Sequence, residues 1–208
     1  ASHDVTVDAF NGFIPAAYPL AGSERKLAEA LHHVDFVADR MAELGGKIVV
    51  FGSGGARRIP EGFGREMAYN QIVEFISEAA RLLAARGITV VLEPLNRRET
   101  NSINSLTEAI KVLDRVPESN VKLLADLYHM LEEDEPFSVL EQTEGHLMHV
   151  HVADTGRVRP GAGSADFVSF RQHLENAGYE GRISVECKFE DFFAEVKPTL
   201  DFLRSIWA

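Results

Sequence analysis

The sequence predicts an α/β fold in which parallel strands, each followed by a helix, form a barrel. Short apolar runs rich in β-branched residues alternate with long amphipathic stretches along the whole chain, which is the pattern of repeated βα units. The runs are mostly apolar, as expected of strands that helices cover. The 208 residues are enough for one domain and too few for two.

Six segments are the predicted strands of this sheet. In chain order they are Val5 to Phe10, Lys47 to Gly52, Ile88 to Glu93, Val121 to Asp126, Leu147 to Val152 and Arg182 to Cys187. The loops between elements are short and contain no linker or low-complexity stretch. Residues 1–208 are therefore predicted to form a single domain.

The amphipathic stretches predict the helices. Those from Ser23 to Leu44 and from Arg65 to Arg86 carry apolar residues at helical spacing and are followed by glycine, a common helix terminator. A third helix is predicted to begin at Ser105 or Thr107, whose hydroxyl can cap it. Pro198 is expected to kink the last helix or to start a separate segment. Shorter helices are predicted near Pro136 to Gln142, Asp166 to Ala177 and Glu190 to Trp207.

Composition excludes several classes of partner. The net charge of −11 would repel a phosphate backbone, so no nucleic-acid partner is expected. No apolar run approaches the roughly 20 residues of a membrane span, so no membrane partner is expected either. The single cysteine, Cys187, allows no internal disulfide. A reducing compartment is the natural expectation, and we predict a cytoplasmic protein.

Four polar residues stand at the carboxyl ends of predicted strands, where the loops of a parallel β/α fold gather its functional groups. They are Glu93, Asp126, His151 and Glu186. Alternate residues of a strand point to the same side. If that side faces the barrel axis, the four side chains meet.

A meeting of three carboxylates predicts a metal ion. Without a cation these groups would repel one another by a few kcal/mol per pair at an effective dielectric of about 20, or would take up protons. Three carboxylates and one imidazole form a hard, oxygen-rich site. We expect one divalent ion and favour Mn²⁺, while Mg²⁺, Co²⁺ and Zn²⁺ stay open.

Taken singly, each of these residues has an ordinary explanation. A carboxylate at a strand end is more often a helix cap or a surface charge than a ligand, so their joint placement carries the prediction. His149 is expected to be an inward-facing packing residue. The glycine-rich loop after the second strand, with Arg57 and Arg58, is a weak candidate for binding a phosphate or carboxylate.

Four segments give the sequence a resemblance to a known family. LEPLNRRETN, LLADLYHM, HVHVADTGRVRPGAG and ISVECKF resemble successive strand ends of the xylose isomerase-like TIM barrel superfamily. Within it, the similarity is greatest to ketose 3-epimerases and hydroxypyruvate isomerase. The resemblance implies a TIM-type barrel enzyme that acts on a small sugar or sugar phosphate and forms homo-oligomers.

The resemblance also implies roles for individual residues. Glu93, Asp126, His151 and Glu186 match the family's metal ligands, and Glu93 and Glu186 match the glutamates that move protons. Glu99, His129 and Arg157 match positions that contact the substrate. The implied reaction is an isomerisation or epimerisation in which a proton next to a carbonyl is removed and the metal stabilises the enediolate.

The sequence departs from the resemblance in length. The family barrel has eight strands, so about two βα units are expected to be missing at the N-terminus, and we expect a piece of a longer protein or an incomplete barrel. Three alternatives stay open. They are an AP-endonuclease-like phosphodiesterase, an inosose-type polyol dehydratase, and a degenerate barrel without catalytic activity. The phosphodiesterase would need further histidines, whereas the first loop offers Asn11.

Overall fold

The computed structural model describes residues 7–207, which form a parallel six-stranded sheet with the strands in chain order. The six predicted strands are confirmed, although Val5 and Thr6 of the first lie outside the described residues. The strands are β1 (Ala9–Phe10), β2 (Ile48–Phe51), β3 (Thr89–Leu92), β4 (Val121–Asp126), β5 (Leu147–Val152) and β6 (Ile183–Val185). The sheet is thus the incomplete TIM-type barrel that the sequence predicts.

Helices follow the strands in the predicted order. They are α1 (Leu27–Glu43), α2 (Arg65–Ala84), α3 (Leu106–Leu113), α4 (Leu127–Glu132), α5 (Phe167–Asn176) and α6 (Phe192–Ile206). Ser105 caps α3, because its side chain accepts a hydrogen bond from the Glu108 N–H. Among residues 7–207, no helix combines the length and the apolar character needed to cross a membrane.

Three local predictions differ from the structure. The six-residue helix α4 was not predicted, since it begins immediately after β4 and leaves no loop as a signal. The predicted helix near Pro136 is a tighter 3₁₀ helix, Phe137–Thr143. Pro198 starts no separate segment, because α6 continues through it.

The core has two layers, one on each face of the sheet. The larger layer packs the outer face of the strands against the helices and includes Phe51, Leu92 and Val150. On the inner face, Val50, Val91 and Leu124 form a small separate cluster. Because strand residues alternate between faces, this inner cluster lies on the same face as the candidate metal ligands, two residues before the strand ends that carry them.

Side chains connect the two edge strands. Asp8, just before β1, forms an ion pair with Arg182, just before β6. At the other end of the same strands, Asn11 Nδ2 donates to Glu186 Oε1 at 2.7 Å. The two edge strands expected to be open are therefore linked by side-chain contacts at both of their ends.

The inner cluster should contribute strongly to stability. Leu124→Ala removes a fully buried side chain from it and should lower the free energy of unfolding by about 2–5 kcal/mol. Leu44→Ala, at a residue that is 61% exposed, is the matched control and should change stability by less than about 0.5 kcal/mol. Urea unfolding followed by circular dichroism gives both values. A loss below about 1 kcal/mol for Leu124→Ala would contradict this packing.

Candidate metal centre

Four side chains converge at the carboxyl ends of β3 to β6. One ligand atom from each of Glu93, Asp126, His151 and Glu186 lies within 4.8 Å of the others, and this is the single cluster of the metal-binding type within residues 7–207. The strands fix the backbones of both glutamates. Glu93 N–H donates to the Phe51 carbonyl at 3.2 Å, and Glu186 N–H donates to the Val152 carbonyl at 3.0 Å.

His151 lies at the middle of this cluster. Its Nδ1 is 3.0 Å from Glu93 Oε1, 3.3 Å from Glu186 Oε2 and 3.9 Å from Asp126 Oδ2. Glu93, Asp126 and His151 are buried, whereas the Glu186 side chain is 31% exposed. Three ligands thus belong to the protein interior, and one reaches the solvent side.

Burial and the charges of neighbouring groups shift the pKa values of the three acids in this cluster. Burial, reinforced by the charge of Glu93, raises the pKa of Asp126 to about 8. Burial also raises the pKa of Glu93. Burial likewise favours a higher pKa for Glu186, but its hydrogen bond to His151 and the charges of His151 and Arg157 outweigh that and lower it to about 2.

Burial and the neighbouring acids also shift the pKa of His151. Burial favours a lower pKa, but hydrogen bonds to Glu186 and Glu93 outweigh it and raise the pKa of His151 to about 10. Without a cation, protons on the imidazole and on the Asp126 carboxyl therefore offset part of the negative charge. A divalent cation fits the same donor set and would replace those protons, since metal ligands bind unprotonated.

His149 lies two residues before His151 on β5, and its side chain points to the same inner face. Its Nε2 is 2.9 Å from Ser184 Oγ, and its ring meets the His151 ring edge-on at 5.2 Å. Burial lowers its pKa to about 4, so the ring is neutral. It is not a member of the four-ligand cluster, in agreement with the sequence-based expectation.

An open cleft of about 210 Å³ borders the cluster. Its lining includes Glu93, Glu186 and the predicted substrate-binding residues Glu99 and Arg157. Arg157 bridges two of these acids, because Nη1 donates to Glu99 Oε1 and Nη2 to Glu186 Oε2, each at 3.0 Å. The guanidinium also lies over the Tyr128 ring, 5.2 Å from its centroid.

His129, the third predicted substrate residue, lies in α4 away from the lining of this cleft. Its Nδ1 accepts a hydrogen bond from the Asn96 backbone N–H at 3.2 Å. Burial and the charge of Arg157 lower its pKa to about 3. The neutral ring therefore carries its proton on Nε2, which is buried, 3.9 Å from Asp126 Oδ2, and without a hydrogen-bond partner among the described residues.

Sequence reasoning missed Asp154, which orders the loop that carries Arg157. The Asp154 side chain accepts hydrogen bonds from the backbone N–H groups of Thr155 and Ala165 at 2.8 Å and of Gly161 at 3.0 Å. This loop holds Arg157 at a φ of 62°, a left-handed conformation that is unusual outside glycine. The sequence signal was an acid two residues after the end of a strand, which many loops contain.

Gly52 and Arg57 after β2 were also missed as parts of the site. A Cβ at position 52 would overlap the Glu93 carboxylate, so only glycine leaves room for that side chain. Arg57 is fully buried, with its donors directed at backbone carbonyls. It is therefore not an anchor for a phosphate or carboxylate ligand, and that sequence-based suggestion is wrong for this residue.

Metal binding should release protons. Because Asp126 and His151 have pKa values of about 8 and about 10 in the metal-free protein, both hold protons at neutral pH and must lose them to bind a metal. The affinity for Mn²⁺ should consequently rise from about pH 6 to about pH 8. Calorimetric titration in buffers of different ionisation enthalpy measures the proton release. Binding that is independent of both pH and buffer would contradict the protonation of the cluster.

Gly52→Ala should weaken metal binding by about 10-fold or more, because the new methyl group displaces the Glu93 carboxylate. Gly64→Ala is the matched control, since the nearest atom to its added Cβ is 4.0 Å away. Mn²⁺ affinity of both variants is measured by calorimetry, with circular dichroism to establish folding. Equal affinities would show that Gly52 does not make room for a metal ligand.

Comparison with known proteins agrees with this fold. The family described as xylose isomerase-like TIM barrel matches residues 1–206. The 3-dehydro-D-guloside 4-epimerase of Escherichia coli (strain K12) is 32% identical over 193 residues, 88% of this chain and 72% of that protein. The crystal structure of the 3-keto-D-glucoside 4-epimerase from E. coli superposes with a TM-score of 0.82 at 25% identity, covering 97% of this chain and 80% of that one.

Other relatives match over a smaller share of their length. The ketose 3-epimerase of Arthrobacter globiformis is 37% identical over 123 residues, 58% of this chain and 41% of that protein. The hydroxypyruvate isomerase of E. coli (strain K12) is 29% identical over 135 residues, 63% of this chain and 52% of that protein. The chain thus spans about half of these two relatives. Both groups named by the sequence resemblance are confirmed as relatives, and the chain belongs to the xylose isomerase-like TIM barrel family.

Proposed function

We propose that this protein is a divalent-metal-dependent sugar isomerase or epimerase that removes and returns a proton next to a carbonyl. One observation carries the proposal. Of the four cluster residues, Glu93 and Glu186 line the open cleft, whereas Asp126 and His151 do not. The two carboxylates that line the cleft are thus the two to which the sequence resemblance implies a role in proton transfer.

The cluster is proposed to bind one metal ion through Glu93, Asp126, His151 and Glu186. When bound, the ion supplies Lewis-acid stabilisation of negative charge on substrate oxygens, on the order of several kcal/mol. Oxygen-rich donor sets favour Mn²⁺, Mg²⁺ or Co²⁺. We propose Mn²⁺ as the metal, with Zn²⁺ as the alternative that a metal-replacement series would reveal.

Proton transfer is proposed to use both glutamates. Glu186 is partly exposed beside the cleft, where its carboxylate can take the proton next to the substrate carbonyl. Glu93 lines the same cleft from a different strand and is proposed to be the second group that moves a proton. Two such groups on separate strands favour epimerisation over a one-base isomerisation.

The remaining lining groups are proposed to hold the sugar. Arg157 and Glu99 present a donor and an acceptor at the cleft, and their mutual ion pair sets the position of both. His129 does not line the cleft, and its buried, unpartnered Nε2–H is proposed as a further donor on the sequence resemblance alone. The proposed substrate is a small sugar or sugar phosphate, in line with the relatives, whose names are those of sugar epimerases and of hydroxypyruvate isomerase.

The proposal also covers the location of the protein and its oligomeric state. We propose a cytoplasmic location on the basis of the single cysteine, Cys187. We propose a homo-oligomer because the sheet has two edge strands, which proteins commonly cover.

The phosphodiesterase alternative is less well supported. Within residues 7–207 the structure has one cluster of the metal-binding type, whereas a site with several zinc ions needs more ligands. The net charge of −11 also opposes a DNA substrate. The polyol dehydratase would use nearly the same ligands and is separated from an epimerase by its product, since it eliminates water.

Replacement of the two glutamates tests the proposal. In deuterated water with Mn²⁺, the protein should exchange the hydrogen next to the carbonyl of a ketose or 3-keto sugar. Glu93→Gln and Glu186→Gln should each lower this exchange by about 10²–10⁴-fold, because an amide cannot act as the base. The exposed Glu61→Gln is the matched control and should exchange as the unmodified protein does.

Proton NMR measures the exchange, and metal analysis of each variant separates loss of the base from loss of the ion. Full exchange in both metal-loaded variants would rule out the assigned bases. Cleavage of an abasic duplex, or elimination of water from an inosose, would move the protein to one of the alternative functions.

A further inference from the structure

Arg57 is a fully buried arginine whose hydrogen bonds go to backbone carbonyls. Its Nε donates to the Gly52 carbonyl at 2.6 Å, and its Nη2 donates to the Glu93 carbonyl at 2.9 Å. Its Nη1 donates to the carbonyls of Ser102 and Ile103, the latter at 3.3 Å. A guanidinium without a carboxylate hydrogen-bond partner is costly to bury, so its retention requires a reason.

This guanidinium joins three chain segments. They are the end of β2, the end of β3 and the loop at residues 102–103. The link is reciprocal, because Ser102 Oγ donates to the Arg57 carbonyl at 2.8 Å. The bonded segments include strained backbone, since Ser53 has a φ of 40° and Ile103 a φ of 53°, and a β-branched residue rarely adopts such a value.

The same link reaches the metal centre through the backbone. Gly52 and Glu93 lie at the ends of neighbouring strands, and their carbonyls accept from one guanidinium. The Glu93 side chain occupies the space above Gly52 that a Cβ would fill. A small shift between these two backbones would therefore move the carboxylate within a cluster whose ligand atoms lie inside 4.8 Å.

The charge of Arg57 is also suited to its position. A divalent ion and three carboxylates leave one net negative charge when His151 is neutral. Arg57 supplies one positive charge beside Glu93, whose backbone carbonyl it contacts through Nη2. A guanidinium stays charged at neutral pH in proteins.

We propose that Arg57 is a positioning residue that fixes the Glu93 carboxylate in the metal centre by holding the backbones of Gly52 and Glu93 together. The proposal rests on the metal centre and, for its kinetic readout alone, on the proposed function. Arg57 touches no substrate and acts through Glu93. Arg40 in α1 is exposed and pairs with Glu43 away from the site, so it provides a matched control.

The experiment compares Arg57→Met, Arg57→Lys and Arg40→Met. Folding is followed by circular dichroism, Mn²⁺ affinity by calorimetry, and ligand geometry by the visible absorption spectrum of the Co²⁺-loaded protein. Arg57→Met should bind Mn²⁺ about 10–100-fold more weakly and show a changed Co²⁺ spectrum. Arg57→Lys should lie between Met and the unmodified protein, because an ammonium cannot span all the carbonyls. Arg40→Met should match the unmodified protein.

A role limited to stability would lower the melting temperature without moving these readouts. A folded Arg57 variant with unchanged affinity, spectrum and kcat overturns the proposal, whatever its melting temperature. If Arg57→Met does not fold, Arg57→Lys and Ser102→Ala, which removes the reciprocal hydrogen bond, decide in the same way. Shifted metal affinity in a protein that catalyses no hydrogen exchange would support the role of Arg57 and refute the proposed function instead.

Discussion

Three carboxylates surround one imidazole at the carboxyl ends of the strands, and the balance of their negative charge governs how the site is built. At 4.8 Å, two unit charges repel by about 3 kcal/mol at an effective dielectric of about 20, and the burial of Glu93 and Asp126 adds to that cost. Without a cation, protons on Asp126 and His151 offset part of this charge. A divalent ion would offset it without such protonation, while Glu93 and Glu186 line the open cleft.

Residues outside the cluster hold the four candidate ligands in place. Arg57 links the ends of β2 and β3, and Gly52 leaves the space into which Glu93 extends. On the other side, Asp154 orders the loop that brings Arg157 to Glu186. The strained backbone near the site is tolerated because several hydrogen bonds hold it at once. Precision at the ligands thus depends on residues that touch neither metal nor substrate.

The sequence predicted the strands and the four-residue convergence because both follow from simple periodicities. Apolar runs mark buried parallel strands, and the two-residue repeat places each ligand on the inner face. It did not predict α4, which begins without a loop after Asp126, the residue whose side chain caps it. The contact between Asn11 and Glu186 depends on the curvature of the sheet, which no local pattern encodes. Arg57 could not be recognised because an arginine that binds carbonyls deep in the protein looks like a surface charge in the sequence.

Anomalous diffraction from crystals grown with Mn²⁺ decides whether this cluster is a metal centre. We expect one strong anomalous peak within coordination distance of all four side chains, Glu93, Asp126, His151 and Glu186. Density for the ion at other residues, with the His151 imidazole still hydrogen-bonded to Glu93 and Glu186, would contradict it.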